Sequence, residues 1–146
     1  MSLDETAETT IRRPAAEIAA YMFDPTHDPE WIGGISEVEP LDPGPMRTGS
    51  RVRRRASFLG RRIDYVMEVV EFEPDRRLAL HAIEAPMPMD VTYEVEPTTD
   101  GARARVRVQG DAGGLYRLAG PLMGAQVSRS ITADVNRLKR ILEEDK

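Results

Sequence analysis

The stretch from Arg51 to Phe72, RVRRRASFLGRRIDYVMEVVEF, decides the fold of this chain. Apolar and polar residues alternate on both sides of Leu59-Gly60, which is the pattern of two half-buried strands joined by a tight turn. If Leu59-Gly60 is a two-residue loop, Arg55 lies opposite Asp64 in the resulting antiparallel pair. The hairpin then has one apolar face and one face of complementary charges, as expected of a sheet that is covered on one side.

The same alternation extends outward from this hairpin and predicts seven strands in all. They are Glu5–Arg13, Ile35–Leu41, Arg51–Phe58, Ile63–Phe72, Leu78–Ile83, Met89–Val95 and Ala104–Gln109. The later connections are short and rich in Gly, Pro and Asp, so consecutive strands should be antiparallel neighbours. A four-residue loop at Thr98–Gly101 would place Glu94 opposite Arg105.

Helical patterns flank the strands. Two short helices are expected after the first strand, over Ala15–Phe23 and His27–Gly34. A long helix is expected from Pro121 to about Glu144, because proline suits the first turn of a helix. Its apolar face consists of Val127, Ile131, Val135, Leu138 and Leu142. These elements predict a single α+β domain, residues 1–146, with a helix laid on one face of a curved sheet.

Composition excludes several classes of protein. The chain has 146 residues, 25 acidic and 20 basic side chains and no cysteine. The absence of cysteine rules out disulfides, cysteine zinc sites and thiol nucleophiles. The net charge of −5 argues against general nucleic-acid binding, and no apolar run approaches the ~20 residues of a membrane span. We expect a cytoplasmic, soluble protein that is either a monomer or a homodimer.

Seven arginines between Arg47 and Arg62 form a basic strip without any acidic residue among them. In the predicted registers, Arg51 opposes Glu68 and lies on the polar outer face with the Arg55–Asp64 pair. A solvated outer face with paired charges is therefore the favoured interpretation. An anion-binding or membrane-binding face is the alternative.

Arg54 is the exception. It lies two residues from Val52 and from Ala56, so the alternation of the strand places it on the same, apolar face. A buried guanidinium needs an anionic or hydrogen-bonding partner. Tyr65 opposite it and Glu71 on the same face are candidates within the chain. An anionic group or enolate of a ligand is the other candidate.

The run from Arg76 to Val95, RRLALHAIEAPMPMDVTYEV, resembles the START-like (SRPBCC) superfamily, especially its polyketide cyclase/dehydrase-like branch. Trp31 after two short helices and the long terminal helix extend the similarity over nearly the whole chain. The resemblance implies a helix-grip fold, in which a seven-stranded curved antiparallel sheet wraps around a long C-terminal helix. It also implies a deep apolar cavity between them, which in family members holds lipids, sterols or polyketides.

The resemblance thus implies binding of a small hydrophobic ligand, lipid-like or polyketide-like. The expected lining residues are Tyr21, Trp31, Arg54, Phe58, Tyr65, Met67, Leu80, Met89, Tyr93, Val106, Leu118, Leu122 and Met123. The mouth is expected around Pro86-Met87-Pro88 and Gly113–Leu118.

The alternative is a polyketide cyclase/dehydratase-like enzyme, with a stress-related or antitoxin-like interaction protein as a third option. A cyclase needs a proton acceptor and a group that stabilises an oxyanion. The candidates are Arg54, Tyr65 and Tyr93, with His27 or Glu30 at the rim. No metal is expected, because proline interrupts the His27–Glu30 cluster and too few ligands converge. No cofactor is expected, because no Gly-rich run follows a strand and opens a helix as phosphate-loop and dinucleotide fingerprints require.

Overall fold

The computed structural model of the protein describes residues 3–58, 60–85, 88–110 and 113–144, and for Phe58 and residues 113–123 it describes the backbone alone. Seven strands form one antiparallel sheet in these residues, in the order β1-β7-β6-β5-β4-β3-β2. Their bounds are β1 (Leu3–Ile11), β2 (Ile35–Pro40), β3 (Arg51–Phe58), β4 (Arg61–Glu73), β5 (Arg77–Glu84), β6 (Met89–Thr98) and β7 (Gly101–Gly110). This confirms the predicted seven-stranded α+β architecture.

The predicted registers are confirmed as well. Arg55 pairs with Asp64 in β3–β4, and Glu94 pairs with Arg105 in β6–β7. The loop between β6 and β7 is shorter than expected, because Thr98 and Gly101 themselves pair. The register is unaffected, since both residues extend the ladder symmetrically.

The helices are α1 (Ala15–Met22), α2 (Asp28–Trp31) and α3 (Gly113–Glu144), with a 3-10 turn at Pro25–His27 before α2. The long helix therefore begins at Gly113, and the expected start at Pro121 is wrong. Pro121 lies inside the helix, where it removes one backbone hydrogen bond but leaves the flanking turns helical. None of the described helices is long and apolar enough to cross a membrane.

The core lies between the concave inner face of the sheet and the C-terminal half of α3. Val127, Ile131, Val135 and Leu138 of α3 are buried in it, as their spacing predicts. Each fully buried side chain of this kind contributes about 1.5–3 kcal/mol. The end of α3 is also tied to β1, because Lys139 donates to the Thr10 carbonyl over 2.6 Å.

Three arginines of the basic strip, Arg51, Arg53 and Arg55, form ion pairs with acidic side chains on the outer face. Arg55 contacts Asp64 over 3.0 Å. Arg51 lies opposite Glu68 in the ladder, but its guanidinium turns to Asp42 at 3.1 Å. Hydrogen bonding to Arg51 lowers the pKa of Asp42. These contacts favour the paired, solvated face over a free cationic surface.

Candidate functional site

The inner face of β3 carries a buried charged group. The Arg54 side chain is 4% exposed. Its Nε and Nη2 donate to Oδ2 of Asp28 over 3.0 and 2.8 Å, and Nη2 also donates to the Tyr93 hydroxyl over 3.1 Å. The partner within the chain is therefore Asp28, which the sequence analysis missed, and not Tyr65 or Glu71. We call Asp28, Arg54 and Tyr93 the buried triad.

Asp28 reaches this position because it opens the short helix α2 beneath the sheet. The preceding 3-10 turn is capped by Asp24, whose Oδ1 accepts from Thr26 N over 3.0 Å. Asp28 and Trp31 lie three residues apart and so share one helix face, and both are 1% exposed. An aspartate on the same face as a buried tryptophan was the signal that could have identified the partner of Arg54.

Burial and charge shift the pKa values of all three members of the triad. Burial lowers the pKa of Arg54, but Asp28, Tyr93 and Tyr65 together outweigh it, and the pKa lies well above its ordinary value. Burial raises the pKa of Tyr93, so the phenol stays protonated near neutral pH. Burial also raises the pKa of Asp28, and the charge of Arg54 only partly offsets this. The two short contacts of the Arg54 guanidinium with Asp28 Oδ2, 3.0 and 2.8 Å, are those of a charge-assisted pair. We therefore treat Asp28 as ionised beside Arg54, and such a pair carries no net charge.

Trp31 packs against the triad and is held from the other side by α3. Its ring meets Tyr93 edge-on, with centroids 5.5 Å apart. Arg137 Nη1 donates to the Trp31 carbonyl over 2.7 Å, and Asp134 Oδ1 accepts from Gly33 N over 3.0 Å. The segment that carries Asp28 is therefore fixed between the sheet and α3.

Burial changes along the inner face of the sheet. Met67, Leu80 and Tyr93 lie near the middle of their strands and are fully buried. Apolar side chains closer to the β3–β4 turn and the β5–β6 connection are only half-buried; they are Ile63, Tyr65, Ala82 and Met89. Burial of the inner face thus decreases toward this end of the sheet, and we call Ile63, Tyr65, Ala82 and Met89 the half-open face. Arg54 of the buried triad lies next to it, because it pairs with Tyr65 in the β3–β4 ladder.

The expected lining residues fall into three groups. Trp31, Met67, Leu80, Tyr93 and Val106 share one buried cluster, and Tyr21, Tyr65 and Met89 pack against it partly exposed. The Tyr21 hydroxyl donates to Glu30 and its ring stacks on His27, with centroids 4.2 Å apart, which brings the predicted rim residues together. The side chains of Phe58, Leu118, Leu122 and Met123 lie outside the described residues, as do Pro86 and Met87 of the expected mouth.

A curved sheet that grips a long helix, with a polar group buried beside a half-open apolar face, defines a helix-grip protein. Residues 4–143 match the family "Polyketide cyclase / dehydrase and lipid transport". The chain belongs to this family and, with it, to the START-like (SRPBCC) superfamily, as the resemblance in its sequence indicates.

Solved structures share the fold at low sequence identity. TTHA0849 from Thermus thermophilus matches with a TM-score of 0.82 and 16% identity, covering 98% of this chain and 99% of that one. The Zhui aromatase/cyclase from a Streptomyces species matches with a TM-score of 0.76 and 19% identity, covering 97% and 96%. Norcoclaurine synthase from Thalictrum flavum matches with a TM-score of 0.72 and 14% identity, covering 100% and 89%. A search among curated proteins found no significant match.

Proposed function

We propose that the protein binds a small, mainly apolar molecule, lipid-like or polyketide-like, at the open end of the concave face. The observation that carries the proposal is the exposure of Ile63, Tyr65, Ala82 and Met89 beside a fully buried core. Apolar side chains that solvent reaches on a concave face gain free energy when a ligand covers them. Membership of a family described by cyclases and lipid transport supports the same conclusion.

The buried triad would select the polar group of this ligand. Among the described residues, nothing accepts a hydrogen bond from Nη1 of Arg54, which leaves donors for a ligand oxygen. Asp28 already neutralises the guanidinium at 2.8 Å. The pair therefore favours an uncharged acceptor, such as a ketone, over a second carboxylate that would repel Asp28.

A blocking substitution tests the location. Ala82→Trp should fill the half-buried face, whereas Ala133→Trp adds the same side chain on the exposed face of α3. The assay is titration with N-phenyl-1-naphthylamine, an uncharged apolar fluorophore. We expect saturable binding that Ala82→Trp weakens at least about tenfold, equivalent to about 1.4 kcal/mol, and that Ala133→Trp leaves intact. Absence of saturable binding, or equal losses in both variants, contradicts the proposal.

A ligand series tests the polar selectivity. 2-Undecanone and decanoate have similar apolar chains but differ in charge at neutral pH. The ketone should displace the fluorophore at a lower concentration than the carboxylate. A preference for decanoate would mean that the site acts as a net cation and that Asp28 does not neutralise it.

Cyclase chemistry is the second candidate, and the similarity of fold to Zhui, an aromatase/cyclase, is the observation in its favour. Arg54 would stabilise an enolate, and Tyr65, half-buried opposite it, would carry a proton. Burial raises the pKa of Tyr93, so its phenol stays protonated and is not available as a base. Turnover of a poly-β-ketone that is normal in Tyr65→Phe would remove Tyr65 from this role.

A further inference from the structure

A cleft lies at the end of the sheet opposite the half-open face. Its walls are the end of α1, the loop between β2 and β3, and the turn between β4 and β5, and its volume is about 370 Å³. Volumes of about 300–1,000 Å³ are typical of small-molecule sites. This cleft therefore has room for a fragment-sized ligand.

The floor of the cleft is apolar and aromatic. Phe23 and Val52 line it and are 6% and 2% exposed. Phe72 is half-buried and meets Phe23 edge-on, with ring centroids 6.4 Å apart. Ala20 of α1 is exposed at the edge of the cleft, and Phe72 is the part of this floor that solvent reaches.

The rim of the cleft is acidic. Asp24, Asp42 and Asp75 line it together with one cation, Arg51. Arg51 is taken up by Asp42, which accepts from its Nη2 over 3.1 Å and from its backbone N over 2.7 Å. Asp24 Oδ1 accepts from Thr26 N over 3.0 Å, and its Oδ2 lies 3.9 Å from His27 Nδ1. Among the described residues, neither Asp24 nor Asp75 forms an ion pair with an Arg or Lys.

Asp75 projects from a turn that normally carries glycine. Arg76 N donates to the Glu73 carbonyl over 3.0 Å, and Asp75 between them has φ of 72°. A left-handed residue at this turn position is usually Gly, and Asn or Asp is tolerated there. Arg76 is not part of the rim, since it lines a separate groove on the outer face.

We propose that this cleft binds a small organic cation with an apolar body, of the arylalkylammonium class. The ammonium group would lie between the Asp24 and Asp75 carboxylates while the apolar body covers Phe23 and Phe72. Phenyl rings also attract cations through their faces. The site is separate from the proposed ligand site at the half-open face and does not depend on it.

The test uses three probes of similar shape and different charge on the intact chain: phenethylammonium, 2-phenylethanol and 3-phenylpropanoate. Binding is followed by amide chemical shifts in two-dimensional NMR spectra. We expect phenethylammonium to bind most tightly and to shift resonances of residues 19–26 and 72–75. Equal affinity for all three probes, no binding, or shifts confined to the half-open face around Tyr65 would overturn the proposal.

Matched aspartate variants identify the rim. Asp75→Asn removes a rim carboxylate and should weaken phenethylammonium about three- to fivefold, the range of an exposed ion pair. Asp100→Asn changes an exposed turn aspartate that does not line the cleft and should leave the affinity unchanged. A second rim variant, Asp24→Asn, should weaken binding similarly. Unchanged affinity in both rim variants excludes recognition of the cation by these carboxylates.

Discussion

Replacing Asp28 by asparagine removes the counter-charge of Arg54 while nearly preserving shape. The two side chains are 1% and 4% exposed and are joined by two hydrogen bonds of 3.0 and 2.8 Å. Removing one partner of a buried pair leaves an uncompensated charge and costs about 3–5 kcal/mol. This is a large share of the about 5–15 kcal/mol of stability that small domains have. At about 2–4 °C per kcal/mol for a domain of this size, Asp28→Asn should lower Tm by about 6–20 °C.

Two control variants show whether the loss of stability comes from the buried, uncompensated charge of Arg54. Asp64→Asn breaks an ion pair of equal length, 3.0 Å, but its partner Arg55 is 40% exposed. The expected loss there is about 0–1 kcal/mol. The double variant Asp28→Leu/Arg54→Met replaces the buried pair by apolar side chains, which is often neutral or stabilising. It should recover most of the stability that Asp28→Asn loses.

Urea unfolding gives the free energies. Trp31 is the single tryptophan of the chain and lies against the triad, so its fluorescence follows the site directly. Far-UV circular dichroism follows the whole fold, and coincident transitions support two-state unfolding. The reasoning fails if Asp28→Asn is as mild as Asp64→Asn, or if the double variant is as unstable as the single one.

Three further substitutions test the surrounding structure. Tyr93→Phe removes the acceptor at 3.1 Å from Arg54 and should cost about 1.5–3 kcal/mol in urea unfolding; a loss below 0.5 would mean the hydroxyl contributes little. Gly101→Ala places a Cβ against the backbone of β1 and should cost more than about 2 kcal/mol by the same assay, and near-native stability would show that the two strands separate easily. Burial raises the pKa of Asp134, so the native protein holds this proton more tightly than the unfolded chain. The control is Asp134→Asn, whose side-chain oxygen can still accept from Gly33 N. As pH falls from 7 through the raised pKa towards 4, the free energy of unfolding of the parent protein should rise relative to that of Asp134→Asn. Parallel plots of unfolding free energy against pH would refute this.

The strand registers were predictable because they depend on local features. Alternating polarity assigns the faces, and the length of the turn fixes which residues oppose each other, as at Arg55 and Asp64. The partner of Arg54 was not predictable in this way. Asp28 is 26 positions earlier in the chain, and its approach depends on how α2 packs beneath the sheet. The alternation of polar and apolar residues in β3 predicts that Arg54 has a partner, but it does not identify which residue that is.

The long helix was also predictable only in part. Its C-terminal half was predicted because Val127, Ile131, Val135 and Leu138 recur at helical spacing and face one core. Its first turns contain three glycines and Pro121, which disfavour helix, so propensity placed the start too late. Backbone continuity with the packed half outweighs those local preferences.

The triad occupies a position where an apolar core would serve folding equally well. Its members lie at the boundary between the buried cluster and the half-open face. If these residues serve ligand selection, the double variant Asp28→Leu/Arg54→Met should remain stable and still bind N-phenyl-1-naphthylamine. Its affinity for 2-undecanone should then be no higher than the apolar surface of the ketone predicts. Undecane, which has the same chain without the oxygen, is the reference. A double variant that keeps the full advantage of the ketone over undecane would assign the triad to folding alone.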